Sequence, residues 1–193
     1  MYDFEEYKTF ETAIVKKHLQ LNNEKIVKFC YENKEKNSGR IVSNRGGWQS
    51  QDFEMKEEIP ELFYHSEKIV KHLASVYGLN ENCNFKMGNS WININSSNDT
   101  NVVHNHPNSV FSIVYYPKFP ENSGNIVFLN PNQSSIMFFP FNNIKTYNSV
   151  NIMQLNVKPS EGLLICFPSW INHYVENGTN TEDRISISSN FTF

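Results

Sequence analysis

The sequence predicts a mainly β fold, a sandwich or barrel with N-terminal helices packed outside one sheet. Three observations carry that expectation. Apolar residues recur at helical spacing up to about residue 80 and at a spacing near two thereafter. The later part breaks into about eight short β-branched and aromatic runs separated by Asn, Pro, Gly and Ser. The 193 residues, 39% hydrophobic and 14% aromatic, suffice for one sizeable core, and no repeat or long linker divides them. The expected organisation is one domain over 1–193, with a helical part at 1–80 and the β core at 81–193.

From Phe4 to about Asn33 the apolar stripes Phe10, Ile14, Leu21 and then Ile26, Phe29, Cys30 predict two helices. The polar stretch 33–39 ends in Gly39 and reads as a loop, and Gly46-Gly47 against Trp48 reads as a turn. Pro60 opens the best-defined helix, in which Leu62, Ile69, Leu73 and Val76 repeat at helical intervals ahead of a C-cap at Gly78. Strands are expected at 85–87, 91–95, 110–116, 125–129, 135–139, 152–157, 163–167 and 185–193.

A net charge of -3 offers no excess cation for a phosphate backbone, so nucleic acid is excluded as an expected partner. No run reaches the ~18 apolar residues of a membrane span, and the acidic, aromatic start MYDFEEYKTF is unlike a signal peptide. The isolated Cys30, Cys83 and Cys166 suit reduced thiols rather than a disulfide framework. A cytoplasmic protein is expected, in the host cytoplasm if the source is a phage. The oligomeric state stays open, a homodimer being the one candidate assembly.

Six histidines are present. His18, His65 and His72 fall on predicted helices beside charged residues and read as solvated. His104 and His106 are two apart on an extended segment, which puts both imidazoles on one face, a chelate geometry unless the segment is simply a polar loop. A metal site needs another ligand from a different strand, and His173, in a short extended segment after the Pro-Ser-Trp turn, is the remaining histidine of the strand region. Arg184 faces the same way as Ser186 on an alternating strand; it is either an exposed edge charge or a buried guanidinium that needs an anion such as a dicarboxylate. Asn93 and Asn95 share one strand face, as do Ser112, Val114 and Tyr116, and either set could line a pocket.

Taken in order, His104-Asn105-His106, the run 124–128, Phe167-Pro168-Ser169-Trp170 with His173, and Arg184 with Ser186 resemble the 2-oxoglutarate and Fe(II)-dependent oxygenases. The similar branch is the prolyl-hydroxylase-like oxygenases of bacteria and bacteriophages, whose GGWQS element and first core strand resemble residues 43–50 and 90–93. The resemblance implies a double-stranded β-helix, a jelly roll, with the metal between two sheets at one open end. It implies Fe(II) on His104 and His173, and 2-oxoglutarate held at its distal carboxylate by Arg184 and Ser186. Asn93 and Tyr116 are further candidates for the cosubstrate pocket. His106 departs from the wider superfamily, which carries Asp or Glu there; three neutral imidazoles bind Fe(II) but also suit Zn and Cu. Asp99 is the nearby carboxylate that could substitute as a ligand.

The implied activity is a hydroxylation using dioxygen, with release of succinate and CO2, on a peptide, a prolyl residue or a small metabolite. Two alternatives remain. One is a metal-binding cupin that does not use 2-oxoglutarate, since Gly162, Pro168, Trp170, His173 and Asn177 resemble the second cupin motif; the acid of the first motif is missing from 107–112. The other is a non-catalytic scaffold of the same fold.

Overall fold

The computed structural model describes residues 4–132 and 140–193. Along the chain run β1 Val15–His18, α1 Asn23–Lys36, β2 Asn44–Arg45, β3 Trp48–Gln49, α2 Met55–Glu58, α3 Pro60–Val76, β4 Lys86–Asn95 and β5 Thr100–His104. Then come β6 Phe111–Lys118, β7 Ile126–Leu129, β8 Gln154–Val157, β9 Leu163–Pro168, β10 His173–Val175 and β11 Arg184–Thr192. The strands form two sheets, ordered β1-β9-β6-β11-β4-β3 and β2-β5-β10-β7-β8, and every pairing among them is antiparallel. This is the double-stranded β-helix expected from the resemblance. The strand expected at 135–139 lies outside the described residues.

Alternation splits the larger sheet into two buried faces. Ile92 and Ile94 of β4, Ile113 and Tyr115 of β6, Leu164 and Cys166 of β9, and Ile185, Ile187 and Phe191 of β11 pack under the helices, against Ile26, Cys30, Leu62, Ile69 and Leu73. The residues between them point into the space between the sheets, where Val114, Tyr116, Ile165 and Phe167 meet Ile126, Phe128 and Ile171. Burial on both faces gives these strands continuous rather than one-sided burial, and leaves a row of polar residues, Arg184, Ser186, Ser188 and Asn190, facing the second sheet.

The N-terminal expectation needs correction. Residues 4–33 hold one helix, not two, and Ile14-Val15 leads into the edge strand β1, whose Val15 pairs with Cys166. Phe10 adopts a φ of 63° and is 91% exposed, so the stripe that suggested a helix is broken at its first member. An open edge on β9 and β-branched residues win over local periodicity. His18 is therefore on a strand, its Nε2 at 2.9 Å from Ser160 Oγ. The helix α1 begins where Asn22 Oδ1 accepts from Lys25 N at 3.0 Å, and runs through Lys34, Glu35 and Lys36, beyond the expected loop start at Asn33. α3 starts at Pro60 as expected, and Gly78, with φ 68°, follows its end while Leu79 N donates to Ala74 O. The runs 85–87 and 91–95 are one strand, β4. Among the described residues no helix is long and apolar enough to cross a membrane.

Glycines bring segments together at two places. Gly46 and Gly47, with φ of 67° and 58°, carry the chain from β2 in one sheet to β3 in the other; a Cβ on Gly46 would sit 1.9 Å from Asp99 Oδ1. Gly124, just before β7, lies so close to the chain leaving β10 that a Cβ would stand 1.7 Å from Glu176 O. Because backbone cannot retreat as a side-chain tip can, Gly124→Ala should destabilise the fold by about 3 kcal/mol, the upper end of overpacking costs. Urea denaturation measures this, and a variant within about 1 kcal/mol of wild type would contradict the close approach.

Candidate active site

The site is built on a strand pairing. His173 of β10 is the direct cross-strand partner of His104 on β5 and of Phe128 on β7. Opposed side chains on one face lie within contact range, and the His104 and His173 ring centroids are 4.3 Å apart. β5 ends at His104, so His106 does not share a strand with it as the sequence suggested. The chain turns instead, and His106 N donates to Ser169 O at 2.8 Å in the Pro-Ser-Trp turn. That turn returns the third ring to 5.3 Å from His104 and 5.0 Å from His173. One ring nitrogen from each of the three lies within 4.8 Å of the others.

Hydrogen bonding orients two of the rings unambiguously. A carbonyl can only accept, so His104 Nδ1 donates to Val102 O at 2.7 Å and His173 Nδ1 donates to Ile171 O at 3.0 Å. Both rings therefore present an Nε2 lone pair. His106 Nδ1 lies 2.7 Å from Ser112 Oγ, and its Nε2 is buried with no hydrogen-bond partner among the described residues. Trp91 and Phe167 wall the cluster, with ring centroids 5.4 Å from His106 and 4.9 Å from His173.

The second half of the site is the polar row of β11 and its neighbours. Arg184 pairs with Asn95 and Ser186 with Asn93 across β4. Arg184 is 2% exposed, and its guanidinium lies 5.1 Å from the centre of the Tyr116 ring and 6.0 Å from that of Phe119. One nitrogen donates to Asn95 Oδ1 at 3.2 Å, while its Nε, the Tyr116 hydroxyl and Asn93 Oδ1 have no partner among the described residues. The ion pairs among the described residues do not include Arg184.

His104, His106, His173, Arg184, Ser186, Asn93 and Tyr116 thus line one cleft between the sheets. Asp99 stays outside it, accepting from Ser96 N at 2.7 Å beneath the Gly46 turn. Lining residues that sequence reasoning missed are of two kinds. Trp91 and Ser188 share strand parity with Asn93 and Ser186, so extending the alternation would have found them. Ser43 and Asn101, bonded at 3.0 Å, meet only because β2 pairs with β5, a long-range pairing with no local signal.

Burial keeps the imidazoles neutral. It is the largest cause holding His106 down at about 4, with nearby His104 adding to it, and it holds His173 down at about 3, with His104 and His106 adding. His104 is lowered too, chiefly by burial. Arg184 is lowered by burial and supported by Tyr116, whose own phenol is raised by burial and so keeps its proton. In the unfolded chain imidazoles titrate near ~6.5, so below that pH the unfolded state binds more protons than the folded one. The contribution of His106 and His173 is therefore full above about pH 6.5 and is lost as pH falls, toward about 4 for His106 and about 3 for His173. Metal-free protein should lose up to about 1.4 kcal/mol per pH unit for each of these two rings over its own window, and His106→Ala should have a shallower slope in urea denaturation. Parallel pH profiles would contradict the buried neutral cluster.

Similarity to known proteins adds to this geometry. Among solved structures, the fold is similar to a prolyl-4-hydroxylase of Pseudomonas putida, at TM-score 0.63 and 12% identity over 94% of this chain and 92% of that one. It is similar to the viral collagen prolyl hydroxylase of Paramecium Bursaria Chlorella virus-1, solved with 2-oxoglutarate, at TM-score 0.60 and 14% identity over 92% and 94%. It also resembles the α-ketoglutarate-dependent epimerase SnoN of nogalamycin biosynthesis, at TM-score 0.60 and 10% identity over 94% and 79%. Among curated protein sequences none matches. The family described as "Putative 2OG-Fe(II) oxygenase" matches residues 89–190, just over half of the chain and every residue of the row and cluster above. The chain therefore belongs to this family of 2-oxoglutarate- and Fe(II)-dependent oxygenases.

Proposed function

We propose that His104, His106 and His173 hold the iron and that Arg184, with Ser186, Asn93 and Tyr116, receives 2-oxoglutarate, the 193 residues acting as one domain. The observation that supports this most is the cleft's pairing of two unmet demands: three converging imidazoles, and a buried guanidinium with no carboxylate partner among the described residues. The donor set fits the metal, because neutral imidazole suits Fe(II). The unpartnered Arg184 Nε and Tyr116 hydroxyl fit a carboxylate, which accepts from both.

When bound, iron and 2-oxoglutarate supply the oxidising chemistry, in which dioxygen converts the keto acid to succinate and CO2 and hydroxylates a substrate. The chain's own residues do the rest. Arg184 fixes the distal carboxylate, and the Tyr116 ring over the guanidinium holds it in one orientation. Tyr116 keeps its phenolic proton and so donates. Trp91, Phe128 and Phe167 keep the metal end apolar, which limits water near the reacting centre. The buried cation is the feature that a cupin without 2-oxoglutarate has no use for.

The substrate class favoured by the fold is a prolyl residue in a peptide, by analogy with the prolyl hydroxylases of similar structure, with a small metabolite as the second choice. The free thiols of Cys30, Cys83 and Cys166 accord with a reducing compartment such as the cytoplasm.

Purified protein loaded with Fe(II) should form succinate from 2-oxoglutarate. Arg184→Ala should weaken 2-oxoglutarate binding by roughly 30-fold or more, the cost of truncating one partner of a desolvated charged pair, while metal affinity stays unchanged. Anaerobic isothermal titration reads both. A loss below about threefold would remove Arg184 from the cosubstrate site.

A further inference from the structure

We propose that Ser112 is the positioning residue for His106: it accepts a proton from the ring's Nδ1 and thereby aims the Nε2 lone pair at the metal. The inference rests on the reading above that His106 is a metal ligand.

His104 and His173 are oriented in the same way, each Nδ1 donating to the backbone carbonyl two residues upstream, Val102 O and Ile171 O. His106 has left its strand and bonds instead to a side-chain hydroxyl. A hydroxyl can donate or accept, so this bond by itself leaves the tautomer open. The surroundings of Ser112 close the question. Its Oγ, in a residue with 0% exposure, has His106 Nδ1 at 2.7 Å, Ser169 Oγ at 2.7 Å and Asn190 Oδ1 at 2.8 Å. An amide oxygen only accepts, and this orientation of Asn190 agrees with its Nδ2 donating to Asn89 Oδ1 at 2.9 Å.

The single Ser112 proton therefore goes to Asn190, and its two lone pairs receive from the other neighbours. Ser169 donates its hydroxyl, and His106 donates from Nδ1. Nε2, buried and without a partner among the described residues, is left as the lone pair. Ser112 thus replaces the carbonyl that serves the other two rings. Its lone pair also faces position 106, so the wall of the site asks for a donor there. An imidazole N–H meets that demand and a carboxylate does not. This accounts physically for a histidine where the wider superfamily carries an acid.

Ser189 provides a matched control. It is equally buried on the same strand as Asn190 but on the opposite face, bonded to Ser90 Oγ and Asn89 O. Cobalt(II) affinity, read by competition with a chromophoric chelator, should fall about 10- to 100-fold in Ser112→Ala, the range for partners that orient metal ligands. It should change less than about threefold in Ser189→Ala. Long-range proton–nitrogen NMR of metal-free wild type should show all three rings protonated at Nδ1, with His106 alone shifting toward the Nε2–H form in Ser112→Ala.

Unchanged affinity in Ser112→Ala, or an Nε2–H His106 in wild type, overturns the proposal. The wild-type spectrum decides the tautomer even if the variant does not fold. Full cobalt affinity in His106→Ala would instead show that His106 is not a ligand, a failure of the underlying reading that is distinguishable because it does not depend on Ser112.

Discussion

The register of β11 between β4 and β6 is the constraint on which the rest depends. Ile185, Ile187 and Phe191 are pinned under α1 and α3, and Ile187 sits opposite both Ile92 and Tyr115. With a side-chain period of two, this leaves Arg184, Ser186, Ser188 and Asn190 no face but the one between the sheets. A slip of one residue would place a guanidinium under the helices and isoleucines in the cleft. Apolar burial on one face thus sets the polar chemistry of the other, and Asn190, brought opposite Ser112 by the same register, extends that control to His106.

The cleft combines two features that would each be costly without a ligand. A buried guanidinium lacking a carboxylate partner among the described residues bears a desolvation penalty that ring stacking and a bond to Asn95 offset only in part. Three imidazoles held neutral by burial give up their preferred protonation at mildly acidic pH. A cation at the rings and an anion at Arg184 satisfy both. In the proposed function, 2-oxoglutarate held at both ends of the cleft would do so in a single binding event.

Much of this was legible in the sequence, for definable reasons. α3 and the long strands β4, β6, β9 and β11 carry enough residues for periodicity to show, and alternation alone places Asn93, Tyr116, Arg184 and Ser186 on their faces. β2 and β3 have two residues each, too few for a pattern, and the edge strand β1 exists because β9 offers it an edge. The histidines are identifiable by type, but not the pairing of His104 with His173 or the turn that returns His106. Both come from contacts between residues about 70 and 60 positions apart. The acceptor role of Ser112 is still further from view, because it follows from counting protons among four side chains.

The imidazoles and Arg184 are proposed to frame a single site for iron and 2-oxoglutarate together. An anaerobic titration of Fe(II)-loaded protein with 2-oxoglutarate, followed in the visible, tests it most directly, since a keto acid chelating Fe(II) gives a metal-to-ligand charge-transfer band. Wild type should develop the band and saturate at one equivalent of each component, and His173→Ala should develop none. A wild type without the band, or a His173→Ala variant that matches it, would contradict the account.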